Sequence, residues 1–170
     1  MIDKIGLSLL TMFGIGHFKY APGTIASFVT CLIYYSIHQN LFLQSNKLYL
    51  LVFLVLILIY SIILIDKLIH KFKKKDPNEI VIDEFVGQSI PLVAIYFIPQ
   101  SFFLEYLNPN GRDLWYLSSF ITFRLFDIFK PWPISIVDKK IKNGIGVMLD
   151  DIIAGVFSTI ATIFIYILLS

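Results

Sequence analysis

The amino-acid sequence predicts an all-α, polytopic membrane protein with about four to five transmembrane helices and with an interfacial helix and loops on the cytoplasmic side. Hydrophobic residues make up 57% of the 170 residues and charged residues only 15%, whereas about a quarter of an average globular chain is charged. Of the 26 charged residues, ten lie between positions 66 and 84 and nine between positions 124 and 151. Short charged windows between apolar runs are typical of polytopic membrane proteins. This composition excludes a disordered chain and a nucleic-acid-binding arm, and the length fits a single membrane-embedded domain, 1–170.

Four apolar stretches approach the roughly 20 residues that a helix needs to cross a bilayer. They are residues 48–65, 85–104, 114–129 and 152–169. Pro91 and Pro99 interrupt the second stretch, and membrane helices tolerate such prolines as kinks. A fifth stretch, 25–43, is diluted by polar residues in its second half, so it is predicted to be a short or partly inserted span.

The basic residues predict which ends of these spans face the cytoplasm, because loops rich in lysine and arginine stay on that side. The loop over 66–79 contains five lysines, and the loop after residue 129 contains four. If both loops are cytoplasmic, twelve basic residues lie inside and only Lys47 and Arg112 lie outside. The distribution therefore predicts a multi-pass membrane protein with these two loops in the cytoplasm.

The second basic loop also has a helical pattern of its own. Ile134, Val137 and Ile141 recur at spacings of three and four residues, and charged residues occupy the remaining face. This pattern predicts a short amphipathic helix on the membrane surface, which Asn143-Gly144 ends. A surface helix of a soluble domain is the alternative.

Four groups of polar residues are predicted to meet at the cytoplasmic membrane surface. The groups are Asp83 with Glu84, Arg124 with Asp127 and Lys130, Asp150 with Asp151, and the N-terminal segment with His17, Lys19 and the turn Ala21-Pro22-Gly23-Thr24. Each of the first three lies at the edge of an apolar stretch, where ionisable side chains are costly and therefore indicate function by default.

The residue types in these groups point to phosphoryl chemistry. Clustered carboxylates repel one another unless they are protonated or bridged by a cation, and all-oxygen ligands suit Mg²⁺. The candidates for metal binding and for water activation in catalysis are Asp83, Glu84, Asp127, Asp150 and Asp151. Arg124 and Lys130, together with Thr24, are candidates for binding phosphate oxygens. A site at headgroup level suits a phospholipid substrate in the bilayer better than a soluble metabolite.

Purely structural roles are the alternative for several of these residues. Acidic residues in the first turn of a helix are favoured by its dipole, and Arg124 with Asp127 could form an ion pair that only stabilises the bundle. Cys31, the one cysteine, lies in an apolar stretch and is interpreted as a small buried hydrophobic residue. A cysteine nucleophile is therefore not expected.

Four blocks of the chain, taken in order, resemble the phosphatidylglycerophosphatase A family of bacterial membrane phosphatases. They are Ala21-Pro22-Gly23-Thr24, Val81-Ile82-Asp83-Glu84-Phe85-Val86-Gly87-Gln88, Phe123-Arg124-Leu125-Phe126-Asp127-Ile128-Phe129-Lys130-Pro131-Trp132-Pro133-Ile134, and Gly144-Ile145-Gly146-Val147-Met148-Leu149-Asp150-Asp151-Ile152-Ile153-Ala154-Gly155. The resemblance implies Mg²⁺-dependent removal of the terminal phosphate of phosphatidylglycerophosphate at the cytoplasmic leaflet, giving phosphatidylglycerol. The segment His17-Phe18-Lys19 departs from the family pattern, which has small or uncharged residues and proline there.

Two other functions use similar residues. An ion- or proton-coupled transporter also places carboxylates within a membrane, but a relay requires acids at several depths, whereas these cluster at one surface. A lipid phosphotransferase also uses aspartates and Mg²⁺, but the longer Asp-Gly-x-x-Ala-Arg pattern of such enzymes is missing from the sequence.

Overall fold

The structure of the protein is a computed structural model that describes residues 2–38, 46–69, 79–99, 111–141 and 143–169. Every regular element in these ranges is a helix, so the predicted all-α fold is confirmed. The α-helices are α1 (Ile2–Leu10), α2 (Pro22–His38), α3 (Leu48–Leu68), α4 (Ile82–Ala94), α5 (Gly111–Phe129), α6 (Ile134–Lys140) and α7 (Gly144–Leu169). A short 3-10 helix, Ile15–His17, lies between α1 and α2.

Two helices in the described ranges are long and apolar enough to cross a membrane. They are α3, over its full 21 residues, and α7, over Gly144–Leu168. Only 28% of the most apolar window of α3 and 33% of that of α7 is buried within the protein. A core helix of a soluble protein would bury most of such a window, so the outward apolar faces of α3 and α7 suit contact with lipid.

Helix α7 is the centre of the bundle and packs against α3, α4, α5 and α6. Its contact with α4 depends on two glycines. A Cβ atom on Gly155 would overlap the carbonyl oxygen of Gly87, and a Cβ atom on Gly87 would lie 2.7 Å from the carbonyl oxygen of Asp151. Small residues at a helix interface allow two backbones to approach closely. Any larger residue at either position would push α4 away from α7.

Hydroxyl groups join α7 to α5. The Thr122 and Ser158 hydroxyl oxygens lie 2.8 Å apart, and the Ser158 hydroxyl also donates to the carbonyl oxygen of Ser119 at 3.0 Å. All three side chains are buried. Interhelical hydrogen bonds of this kind hold helices together where the surroundings are apolar, so they fix α5 alongside α7.

The start of α7 is held by the end of α3. Asp66, in the last turn of α3, accepts a 2.6 Å hydrogen bond from the backbone N–H of Gly144. A carboxylate at a helix N-terminus satisfies an otherwise unpaired N–H and interacts favourably with the helix dipole. This bond brings the C-terminal end of α3 and the N-terminal end of α7 to the same end of the bundle.

The helix boundaries differ from the sequence-based expectation in two informative places. Helix α7 begins at Gly144, eight residues before the predicted start at residue 152, so Asp150 and Asp151 lie within the helix. Helix α4 ends at Ala94, three residues after Pro91 and well before the predicted end at residue 104. Its 13 residues span about 20 Å, less than the roughly 30 Å of a hydrocarbon core.

The remaining expectations are met in part. Helix α2 covers the first part of the predicted span 25–43, and α6 covers most of the predicted surface helix. Ile134, at the start of α6, is fully buried, so this helix packs into the protein rather than only on its surface. Residues 39–43, 71–75, 100–104 and 142, which belong to predicted spans and basic loops, lie outside the described residues. Helix α1 was not predicted.

Replacing Gly155 with alanine is expected to destabilise the bundle. The added Cβ would overlap the backbone of α4, and overpacking of this kind costs about 1–3 kcal/mol. Gly6→Ala is the matched control, because a Cβ there would meet only the flexible ends of Leu68 and Leu64. Chemical unfolding in detergent should show a lower free energy of unfolding for Gly155→Ala than for Gly6→Ala. Equal values would contradict the close contact of α4 with α7.

Candidate active site

A cavity of about 450 Å³ opens at the end of the bundle where α2, α4 and α7 begin and α5 ends. All eight site residues predicted from the sequence line it, and they are Thr24, Asp83, Glu84, Arg124, Asp127, Lys130, Asp150 and Asp151. His17 and Lys19 do not line the cavity, and both are exposed. The four predicted groups therefore meet in space, except for the residues that precede the turn at Ala21.

Three of the carboxylates form a compact cluster at the contact of α4 with α7. The cluster consists of Asp83, Glu84 and Asp151. One carboxylate oxygen from each residue lies within 4.8 Å of the other two. One oxygen of Glu84 and one of Asp151 are buried and accept no hydrogen bond within the described part of the chain. Asp83 and Glu84 project from the first turn of α4, and Asp151 lies about two turns into α7.

This cluster fits a hard divalent cation. Its donors are all carboxylate oxygens, which Mg²⁺ prefers, and buried anionic oxygens without hydrogen-bond partners are costly unless a cation or proton compensates them. The three side chains that would hold such an ion are Asp83, Glu84 and Asp151. This is a smaller set than the five carboxylates proposed from the sequence, because the other two are held by basic residues.

Asp127 is held by Arg124. The Arg124 Nη1 atom lies 2.6 Å from the Asp127 Oδ2 atom, one helical turn further along α5. The same Nη1 atom donates to the Ser27 hydroxyl at 3.4 Å, which ties the guanidinium to α2. The Arg124 Nε atom is buried and donates no hydrogen bond within the described residues. Arg124 therefore has a fixed position on the cavity wall.

Asp150 is held by Lys130. The Lys130 Nζ atom lies 2.5 Å from the Asp150 Oδ2 atom and 3.1 Å from the Asp138 Oδ1 atom. Burial lowers the pKa of Lys130, but the hydrogen bonds and charges of these two aspartates outweigh it and raise the pKa above its usual value. Lys130 therefore stays protonated at neutral pH and binds α6 to α7 across the cavity.

The backbone at Lys130 is itself unusual. Its φ of +42° is in the left-handed region, and its N–H donates to the carbonyl oxygen of Phe126 at 2.9 Å, so it terminates α5. Glycine is the common residue at such a helix end, because other residues are strained there. A strained lysine at the edge of a cavity is the kind of backbone outlier that clusters at functional sites.

Asp138 is a site residue that the sequence analysis missed. It was placed only on the charged face of the predicted surface helix, but its carboxylate lines the cavity and pairs with Lys130. Its position eight residues after Lys130 gives no helical signal, since a turn with Pro131 and Pro133 separates the two. Only the packing of α6 against α7 brings Asp138 to the site.

The beginning of α2 closes one side of the cavity. A Cβ atom on Gly23 would overlap the end of the Glu84 side chain, so glycine at this position leaves room for that carboxylate beside α2. Thr24, in the first turn of α2, lines the cavity. The N-terminus of a helix carries partial positive charge and free N–H groups, which favour an anion.

Negative charge dominates the cavity. Six carboxylates and two basic side chains line it. Burial raises the pKa of the Asp83 carboxyl well above its usual value, and the charges of Glu84 and Asp151 raise it further. Burial likewise raises the pKa of Glu84. The contact of α4 with α7 therefore favours either protons or a cation, while Arg124 and Lys130 supply positive charge to the same cavity.

The chain is similar to known proteins over most of its length. The family model described as "Phosphatidylglycerophosphatase A" matches residues 8–166. A Bacteroides thetaiotaomicron protein with the provisional name phosphatidylinositol-3-phosphatase is 32% identical over 88% of this chain and 86% of its own. A Haemophilus influenzae phosphatidylglycerophosphatase A is 34% identical over 87% of this chain and 80% of its own. An Escherichia coli phosphatidylglycerophosphatase A is 39% identical over 49% of this chain and 41% of its own. None of the solved structures matches the chain significantly.

The raised pKa of Asp83 predicts how stability changes with pH in the presence of a chelator. An unfolded aspartate loses its proton near pH ~4, whereas folded Asp83 keeps its proton to a higher pH. Folding then takes up a proton in this window, so the free energy of unfolding falls as pH rises through it. Asp83→Asn should flatten this fall, measured as the midpoint of thermal unfolding at several pH values. Asp113→Asn, at an exposed position, is the control and should keep the wild-type slope. A wild-type slope in Asp83→Asn would contradict the pKa shift.

Proposed function

The chain belongs to the phosphatidylglycerophosphatase A family, and we propose that it hydrolyses the terminal phosphate of phosphatidylglycerophosphate, with Mg²⁺ and at the cytoplasmic leaflet. The family match over residues 8–166 makes the protein a lipid phosphatase. The observation that carries the proposal is that one cavity brings together three clustered carboxylates and two basic side chains. A phosphate monoester needs both, because its own negative charge must be neutralised while a nucleophile approaches the phosphorus atom.

The carboxylate cluster at the contact of α4 with α7 would supply the metal site. Asp83, Glu84 and Asp151 would hold Mg²⁺, which supplies charge neutralisation and Lewis acidity to a bound phosphate when it is present. In this arrangement the three side chains do not contact phosphate directly, since like charges repel. Asp83 and Glu84 on α4 and Asp151 on α7 are the residues that would hold the ion.

The two basic side chains of the cavity, Arg124 and Lys130, would bind the phosphate group. Arg124 presents a planar guanidinium, whose Nε has no partner within the described residues, and Lys130 presents a single charged amine. Thr24 adds a hydroxyl at the N-terminus of α2. Asp127 and Asp150 hold the two basic side chains in place through their ion pairs, so their first role in this mechanism is positioning.

The names of the relatives define a second candidate substrate. The Bacteroides protein is named for the 3-phosphate of phosphatidylinositol, whereas the Haemophilus and Escherichia proteins are named for phosphatidylglycerophosphate. Both lipids carry a phosphate monoester on a headgroup alcohol, so the same cavity chemistry serves either. Phosphatidylglycerophosphate is preferred here because the family description also names it.

A phosphate-release assay tests the activity and the substrate together. Purified protein in mixed micelles is given phosphatidylglycerophosphate, phosphatidylinositol 3-phosphate or phosphatidic acid, with Mg²⁺ or with chelator. We expect release from phosphatidylglycerophosphate to be fastest and to stop in chelator. Asp127→Ala should lower the rate by roughly a hundredfold or more, since removing one member of a preorganised electrostatic site has an effect of this order.

Each comparison in this assay, between variants, between substrates and with or without chelator, has a result that would contradict the proposal. Asp113→Asn, far from the cavity at the start of α5, should keep the wild-type rate, so a loss there would indicate general damage. Faster release from phosphatidylinositol 3-phosphate would favour the second substrate. Unchanged release in chelator would overturn the metal requirement. No release from any lipid would overturn the phosphatase and would return attention to the transporter alternative, which releases no phosphate.

The orientation of the site has its own test. The proposal puts the end of the bundle that carries the cavity in the cytoplasm of the bacterial inner membrane, which the distribution of lysine and arginine supports. Lys140→Cys, on exposed α6 sequence, should react with an impermeant thiol reagent only from the cytoplasmic side. Arg112→Cys, exposed at the opposite end of α5, should react only from outside. Cys31 is buried and adds little background. The reverse labelling pattern would overturn the orientation.

A further inference from the structure

An exposed apolar strip runs along α5 toward the cavity. It consists of Ile121, Leu125 and Ile128, spaced by four and three residues, and it continues into Phe129. Residues at this spacing share one face of a helix. Ile128 and Phe129, at the end of the helix, are 63% and 75% exposed. The strip therefore becomes more open as it approaches the site.

The neighbouring face of α5 is closed by α2. The rings of Phe28 and Phe120 meet edge to face with centroids 6.1 Å apart, and the Arg124 guanidinium contacts Ser27 one turn further on. These contacts seal the seam between the two helices up to the level of Arg124. Beyond it the seam opens into the cavity, which Ile128 lines on one side and Pro22 on the other.

Ile128 thus belongs both to the exposed strip and to the cavity wall. Among the described residues, no other large exposed aliphatic side chain lines the cavity. Ile63 on α3 is 58% exposed and is near the same end of the bundle, since Asp66 of α3 contacts the start of α7, but it does not line the cavity. General contact with lipid explains an exposed Ile63. It does not explain why an apolar surface leads directly into a cavity lined by six carboxylates and two basic residues.

We infer that the acyl chains of a phospholipid substrate lie against Leu125, Ile128 and Phe129 while its phosphate occupies the cavity, so the lipid reaches the site sideways between the beginning of α2 and the end of α5. This inference rests on the proposed function. A lipid phosphate monoester has a charged headgroup joined to apolar chains, and here a charged cavity is joined to an apolar strip at one residue. The strip supplies affinity for the chains through burial of apolar surface.

Two substrates separate this acyl-chain surface from the phosphate site. One is long-chain phosphatidylglycerophosphate in mixed micelles, and the other is an analogue with the same headgroup whose acyl chains are short enough to stay monomeric in water. Ile128→Ser should raise KM for the long-chain lipid roughly fivefold to tenfold, the factor expected when one aliphatic side chain loses its buried contact. Phe129→Ser, at an exposed position that does not line the cavity, should leave KM and kcat for the short-chain analogue at the wild-type values.

Control variants make this outcome specific. Ile63→Ser carries the same change at a comparably exposed position and should leave both substrates unaffected, while Ile128→Leu should restore the long-chain KM. Phe129→Ser should repeat the effect of Ile128→Ser on the long-chain lipid. A wild-type KM for both serine variants, an equal loss on both substrates, or an equal effect of Ile63→Ser would overturn the inference. A wild-type protein that releases phosphate from neither substrate would instead overturn the proposed function.

Discussion

Helices α4 and α7 approach each other at two glycines, Gly87 and Gly155, and this contact sets the distance between the acidic residues of the site. With no side chain at either position, the backbone of one helix lies against the backbone of the other. Asp83 and Glu84 lie one turn from Gly87, and Asp151 lies one turn from Gly155. The carboxylates therefore come within 4.8 Å of one another because the helices beneath them have no side chains between them.

That proximity is electrostatically unfavourable for the protein alone. Bringing like charges together in a partly buried site raises the free energy of the folded state unless protons or a cation compensate them. Asp127 and Asp150 each form an ion pair with a basic residue, which offsets part of their negative charge. Within the described residues, Asp83, Glu84 and Asp151 form no such ion pair, and these are the three side chains proposed to hold a metal ion.

The same end of the bundle connects this polar site with apolar surface. Asp66 of α3 accepts a hydrogen bond from Gly144 at the start of α7. The two most apolar helices therefore meet at the end of the bundle where the cavity opens. On α5, the single side chain of Ile128 lies between exposed apolar surface and the charged cavity. A substrate with a charged head and apolar tails matches this sharp boundary better than a substrate that is polar throughout, and the family of lipid phosphatases is consistent with it.

Local sequence patterns were enough to predict the helical class, the apolar runs, the groups that meet at one surface and the family. These features depend on residue type and on spacing within one segment. The Arg124–Asp127 ion pair could be predicted, because the two residues lie one helical turn apart. The two partners of Lys130 could not, since Asp138 and Asp150 lie 8 and 20 residues away in the chain. Asp138 looked like part of a solvated helix face until the fold placed its carboxylate 3.1 Å from the Lys130 Nζ atom. The amino-acid sequence by itself determines which charges the protein carries. The packing of the helices decides which of these charges neutralise each other, because electrostatic energy depends on distance in space and not on separation along the chain.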